Sequence, residues 1–150
     1  MYLIDTNVIS EARKGRVANG GVRDFFADLK RGGYSAFLSV ITIGELRRGI
    51  ERIRHRGDQP QAARLEQWLE RVVIDYSDNI LPIDIDVAQI WGRLRVPHPE
   101  NLLDKQIAAT ALLHDLTVVT RNVQDFTRSG VRLINPFDQE RVPFAASRPC

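Results

Sequence analysis

Cysteine is nearly absent: the one thiol, Cys150, is the last residue, so no internal disulfide can form and no cysteine-based metal site can be built. Histidine is scarce as well, and His55, His98 and His114 are scattered without zinc-ligand spacing. No apolar run approaches the ~20 residues that a membrane-spanning helix needs. Met1-Tyr2-Leu3-Ile4-Asp5 offers no basic leader followed by a cleavable apolar stretch. Excess charge of one sign is missing too, with 21 basic residues against 19 acidic ones. These absences lead to the expectation of a domain that works in the cytoplasm, without a membrane.

What is present suits one compact unit. A chain of 150 residues that is 43% hydrophobic and 27% charged can bury a sizeable core. Lysine occurs only at Lys14, Lys30 and Lys105, so the cations are mostly arginine, and five of them (Arg47, Arg48, Arg52, Arg54, Arg56) fall within ten residues. The planar guanidinium suits phosphate, so this stretch reads either as a solvated helix face or as a nucleic-acid contact.

The hydrophobic period switches repeatedly. Tyr2-Leu3-Ile4 reads as a short buried strand ending at Asp5. Residues 10–30 read as two short helices divided at Gly20-Gly21, followed by a strand over 36–40. A helix is predicted from Thr42 to near Gly57 with Ile43, Leu46, Ile50 and Ile53 inward, and another opens at Pro60. Residues 80–83 are extended, with Pro82 at an edge or end. Asp84 caps a further helix, 102–113 is an almost wholly apolar one, and strands follow at 117–120 and 131–134. Strands alternating with helices predict an α/β fold whose parallel sheet is covered on both faces. The domain is placed at residues 1–137, with 138–150 as a flexible tail.

In such a sheet the carboxyl ends of the strands and the helix N-termini share one rim, where ligands bind. Asp5 ends the first strand, Glu45 falls in the first turn of the helix after the second, Asp104 opens the apolar helix, and Asp125 follows the fourth strand by a turn. Each has a capping explanation: Asp5 before its helix, Thr42 with Glu45 as an S/T-x-x-E box, Asn101 with Asp104, and Asn122 with Asp125. Two features weigh toward a shared site. Asp104 lies on the face of Ile107, Ala108 and Ala111, where an ionised carboxylate needs a counter-charge. Gly44 and Gly49 clear space around Glu45 at a cost of about 1 kcal/mol each in a helix interior. A hard divalent cation, Mg2+ or Mn2+, is the natural counter-ion for clustered carboxylates, and such clusters serve phosphoryl chemistry.

Five segments, 2–11 (Tyr-Leu-Ile-Asp-Thr-Asn-Val-Ile-Ser-Glu), 38–50, 104–111, 117–126 and 131–137, together resemble PIN-domain ribonucleases and, among them, the VapC-type toxins of toxin–antitoxin pairs, including the plasmid-stability branch. The resemblance implies a three-layer α/β/α sandwich around a mostly parallel sheet of four or five short strands. It implies an endoribonuclease dependent on Mg2+, neutralised by a cognate antitoxin and acting as a homodimer. Asp5 and Asp104 would ligate the metal, Glu45 would complete the acidic pocket, and Thr6, Asn7 and Thr120 would support it. Many relatives carry aspartate directly after Thr-Arg; here that residue is Asn122, with Asp125 three further on, and either could serve the fourth acidic position. Arg47, Arg48 and Arg121 would hold flanking RNA phosphates. The helix over 61–73, through Trp68 and Leu69, is either a dimer contact or ordinary core packing. The rival readings are a non-catalytic PIN-like module that binds RNA or a protein, and an aspartyl-phosphate phosphohydrolase, whose chemistry wants a second acid where Asn7 stands.

Overall fold

The structure, a computed structural model, describes residues 1–138. The expected tail over 138–150 therefore falls, apart from Asp138, outside the described residues. Five strands, β1 (Tyr2–Ile4), β2 (Ala36–Ser39), β3 (Ile80–Leu81), β4 (Thr117–Val119) and β5 (Arg132–Ile134), form one sheet in the order β3-β2-β1-β4-β5. Every pairing is parallel, with Leu3 beside Val118 and Ile4 beside Val119. The sheet is thus wholly parallel.

The helices are α1 (Thr6–Ala12), α2 (Gly20–Gly32), α3 (Val40–His55), α4 (Gln59–Asp75), α5 (Ile85–Leu94), α6 (Leu102–Leu113) and the single turn α7 (Val123–Phe126). Side chains alternate across a strand, and Leu3, Ile4, Val118 and Val119 are all fully buried. Ile4 and Val119 join Val8, Val22, Phe25 and Leu46 on one face, supplied by α1 to α4. Leu3 and Val118 join Ile107, Ala108, Ala111 and Phe126 on the other, supplied by α6 and α7. The three-layer sandwich follows from that alternation. With burial on both faces the strands need no polar residues, so three-residue apolar runs suffice.

Local chemistry moved several boundaries. Helix α3 starts at Val40, not Thr42, because the Ser39 hydroxyl accepts the Ile41 N–H at 3.1 Å and caps it. The Thr42–Glu45 capping box therefore does not form, and Glu45 sits in the second turn. Gly20-Gly21 opens α2 instead of dividing two helices; Asn19 caps that helix, and the break lies upstream in a 3-10 turn over Gly15–Val17. Gly21 is required for another reason, since a Cβ there would collide with the Pro136 carbonyl oxygen. Trp68 packs against the inner cluster while Leu69 is buried in it. Both side chains thus take part in core packing, Trp68 keeping part of its surface exposed. Among the described residues no helix is long and apolar enough to cross a membrane.

Candidate active site

Parallel strands bring the residues after β1, β2 and β4 to one rim. Asp5 caps α1, its Oδ1 accepting the Thr6 N–H at 2.7 Å. Its Oδ2 accepts the Thr120 hydroxyl at 2.7 Å and the Asn7 amide at 3.0 Å. Asp5 as a whole is only 4% exposed, and burial raises its pKa against the lowering effect of those three donors. Thr120 is fully buried and its oxygen also accepts the Asn122 N–H at 3.0 Å. The Asn7 oxygen accepts the Arg121 N–H at 3.0 Å. Thr6, Asn7, Thr120 and Asn122 therefore form a lattice around Asp5, with Thr6 and Asn122 entering through their backbone amides.

Asp5, Asn7, Glu45, Asp104 and Asn122 all line one cleft of about 680 Å3. The Asp104 carboxyl, in the first turn of α6, is pushed up to about 6, first by burial and then by the charges of Asp5, Asp125 and Glu45. Asp125 is exposed and does not line the cleft, yet its charge is felt by both Asp5 and Asp104. Its Oδ1 accepts the Asn101 amide at 3.3 Å. Asn101, which stands in the left-handed region at φ 57°, makes no cap bond to α6, nor does Asn122 to α7. Of the capping explanations for the four acids, the bond from Asp5 to Thr6 is the one that forms.

Burial of this carboxyl, together with repulsion from its neighbours, has a thermodynamic consequence in the absence of cation. The folded Asp104 carboxyl holds its proton up to about 6, while an unfolded one releases it near 3.9. The native state then binds more protons than the unfolded state across that window, so this group's contribution to stability falls as pH rises through it. Partial exposure reduces the effect to about 1 kcal/mol. Metal-free Asp104→Asn is therefore expected to melt a few degrees above wild type at pH 7 (about 2–4 °C per kcal/mol at this size) and level with it near pH 4. Scanning calorimetry in EDTA decides this; a variant less stable than wild type at pH 7 would refute a penalty on the ionised Asp104 carboxyl.

The sequence reading overlooked several lining residues, among them Ser10, Glu100 and the pair Leu102 and Leu103. Lys105 was unremarked too: it is buried, and its ammonium donates to the His98 carbonyl, tying the loop that carries Glu100 and Asn101 to α6. Lysine inside an otherwise apolar helix was the available signal. Arg47 is engaged elsewhere, bridging α3 to Glu66 of α4 at 2.5 Å. Arg48 lies 3.7 Å from Glu45, and the Arg121 guanidinium stands over the Phe137 ring at 5.1 Å.

The donor set suits a hard cation. No ready group of three His, Cys, Asp or Glu side chains at metal-holding spacing occurs among the described residues. A magnesium-like ion commonly takes one or two carboxylates, filling the rest of its octahedron with water and substrate phosphate. Asp5 and Asp104 supply that number of carboxylates in one cleft.

Comparison with known proteins agrees with this architecture. The PIN domain family matches residues 2–130. The chain is 34% identical over 143 residues to Toxin FitB of Neisseria gonorrhoeae, covering 91% of this chain and 99% of that one. It is 29% identical over 147 residues to VapC ribonuclease Y4jK of Sinorhizobium fredii, covering 92% and 99%. The crystal structure of FitAcB from Neisseria gonorrhoeae superposes with a TM-score of 0.78 at 33% identity, over 92% of this chain and 99% of that one.

Proposed function

This chain belongs to the PIN-domain family, and on that premise we propose that it is a metal-dependent endoribonuclease, the toxin of a toxin–antitoxin pair, acting in the cytoplasm. The observation that carries the reading is the cleft in which Asp5, Glu45 and Asp104, from three distant segments, face one another. The toxin part rests on the relatives named Toxin FitB and VapC ribonuclease. A partner antitoxin is supported by solved relatives described as toxin–antitoxin assemblies, one of them a Klebsiella pneumoniae complex at 26% identity with a TM-score of 0.63. Homodimerisation belongs to the same proposal, on the family resemblance alone.

Asp5 and Asp104 would hold Mg2+ or Mn2+, which when bound supplies Lewis-acid polarisation of the scissile phosphate and lowers the pKa of water. Thr120, Asn7 and the Thr6 amide hold the Asp5 carboxylate in one orientation, so that no rearrangement is needed during reaction. Glu45, half-buried at the cleft wall, would help position the attacking water and accept its proton. Asn122 offers the cleft a neutral amide, and Asp125 adds negative charge from outside it. Water is the nucleophile in this scheme, so no covalent intermediate on the protein is needed. The aspartyl-phosphate alternative is disfavoured by Asn7, which puts a neutral amide where that chemistry wants a second acid.

The deciding experiment is cleavage of single-stranded RNA by the purified protein. Activity with Mg2+ is expected, falling at least 10^3-fold in excess EDTA, as loss of a Lewis acid worth several kcal/mol requires, and returning when Mg2+ or Mn2+ is restored. Cleavage that survives EDTA undiminished would remove the metal from the reaction. RNA bound without cleavage at any metal concentration would leave only a binding module.

A further inference from the structure

An acidic cleft repels the polyanion it is proposed to cut, so cations other than a bound metal must hold the strand on either side of the scissile bond. The structure sorts the arginines for this task. Arg47 and Arg54 are both bound to Glu66 of α4, at 2.5 and 2.8 Å. Arg13, Arg95 and Arg121 lie over the rings of Trp68, Trp91 and Phe137. Arg132 pairs with Asp115 at the opposite end of the sheet.

Among the described arginines, Arg48 and Arg128 are the two paired with glutamates of the cleft lining. The Arg48 side chain is 66% exposed and 3.7 Å from Glu45, and that of Arg128 is 68% exposed and 3.8 Å from Glu100. Both glutamates line the acidic cleft, one from α3 and the other from the loop entering α6. Pairs this long and this exposed contribute little and exchange readily for another anion. Leu102 and Leu103, on the same lining, are 46% and 43% exposed and offer an apolar surface to a base.

From this arrangement we infer that Arg48 and Arg128 are the flanking-phosphate holders of a single-stranded RNA lying across the cleft, releasing Glu45 and Glu100 as the strand arrives. An arginine fork takes phosphate in bidentate fashion, and two forks beside a group of carboxylates match a chain that repeats its charge at every nucleotide. An acidic peptide fits less well, since it would bring more carboxylates to the acids without a phosphate for a metal to bridge. The inference rests on the ribonuclease reading and names the strand contacts of that site.

The test uses the full chain with an RNA oligonucleotide, comparing Arg48→Gln and Arg128→Gln with Arg132→Gln, which removes the same charge far from the cleft. Each cleft variant is expected to raise KM about tenfold while kcat stays within twofold, the loss of about 1.4 kcal/mol of uniform binding. Each is also expected to flatten the dependence of log binding constant on log salt by about 0.7, the value for one single-strand phosphate contact. Arg132→Gln should change neither, and circular dichroism should show all three folded. If wild type cleaves RNA but KM and salt slope are unmoved, this inference falls and the ribonuclease reading stands. If the cleft variants lose only affinity for an acidic peptide, the two guanidinium groups belong to a protein partner and the inference again falls. A wild-type protein that neither binds nor cleaves RNA overturns both.

Discussion

Asp5→Asn should leave a folded protein whose RNA hydrolysis is at least 10^3-fold below wild type, the loss expected when several kcal/mol of electrostatic stabilisation disappears. The substitution is nearly isosteric, and asparagine caps a helix about as well as aspartate, so the bond from the Thr6 N–H and the start of α1 survive. The atom replacing Oδ2 faces two donors, the Thr120 hydroxyl and the Asn7 amide, so rotation of Thr120 must recover one bond and about 1 kcal/mol is lost. Removing a charge from a site only 4% exposed offsets part of that loss. What cannot be recovered is the anion: an amide attracts a divalent cation far less, and Asp104 alone would have to hold it. Single-turnover cleavage at saturating Mg2+ separates the outcomes, with a melting curve beside it. Wild-type rates from Asp5→Asn would exclude the carboxylate from the reaction; a variant that simply unfolds would show itself in the melting curve.

Phe126→Ala is expected to cost about 3–5 kcal/mol, the usual range for deleting a buried phenyl ring. Phe126 is fully buried and is the largest side chain in the second core cluster, where it packs with Leu3, Ile107 and Val118. It is also the anchor of α7, a single turn too short to persist by its own hydrogen bonds. Loss of the ring therefore frees Asp125, its neighbour in sequence, as well as opening a cavity. Domains of this size are stable by roughly 5–15 kcal/mol, so the variant should unfold at much lower urea with an unchanged slope. Phe126→Leu, which keeps most of the volume, should fall between the two. A loss under about 1 kcal/mol for the alanine variant would mean that the site collapses freely, which the packing on the sheet does not allow.

Much of the fold was legible because the elements are short and strongly patterned. Helix 102–113 was placed to the residue, since its mostly apolar run calls for burial, which Ile107, Ala108, Ala109 and Ala111 take while the leucines at its two ends stay partly exposed. Strands at 2–4 and 117–120 read clearly because β-branched and aliphatic runs of that length end at polar residues, the second closing one residue earlier, at Val119. Two of the misreadings share one cause, competition between neighbouring polar residues for the same role. Ser39 and Thr42 can each cap α3, and the strand ending at Ser39 leaves that hydroxyl nearer the free amides. Asn101 has the composition of a cap but adopts φ 57° and gives its amide to Asp125 instead. Strand ends and helix starts marked the acids to watch, and Lys105 stood out in a mostly apolar helix, while Glu100 carried no pattern along the chain.

By itself the sequence determined most of the elements and their order, the parallel sheet that they require, and the acids that fall at strand ends, because periodicity and chain direction are local properties. Tertiary structure decided which arginines are spent on glutamates and aromatic rings, that Asp125 acts on its fellow acids from outside the cleft, and that Asp104 carries a carboxyl pushed up to about 6. Those are properties of distance and dielectric between segments that lie as many as 115 positions apart, as Asp5 and Thr120 do, and a charge feels its neighbours through space, not along the chain.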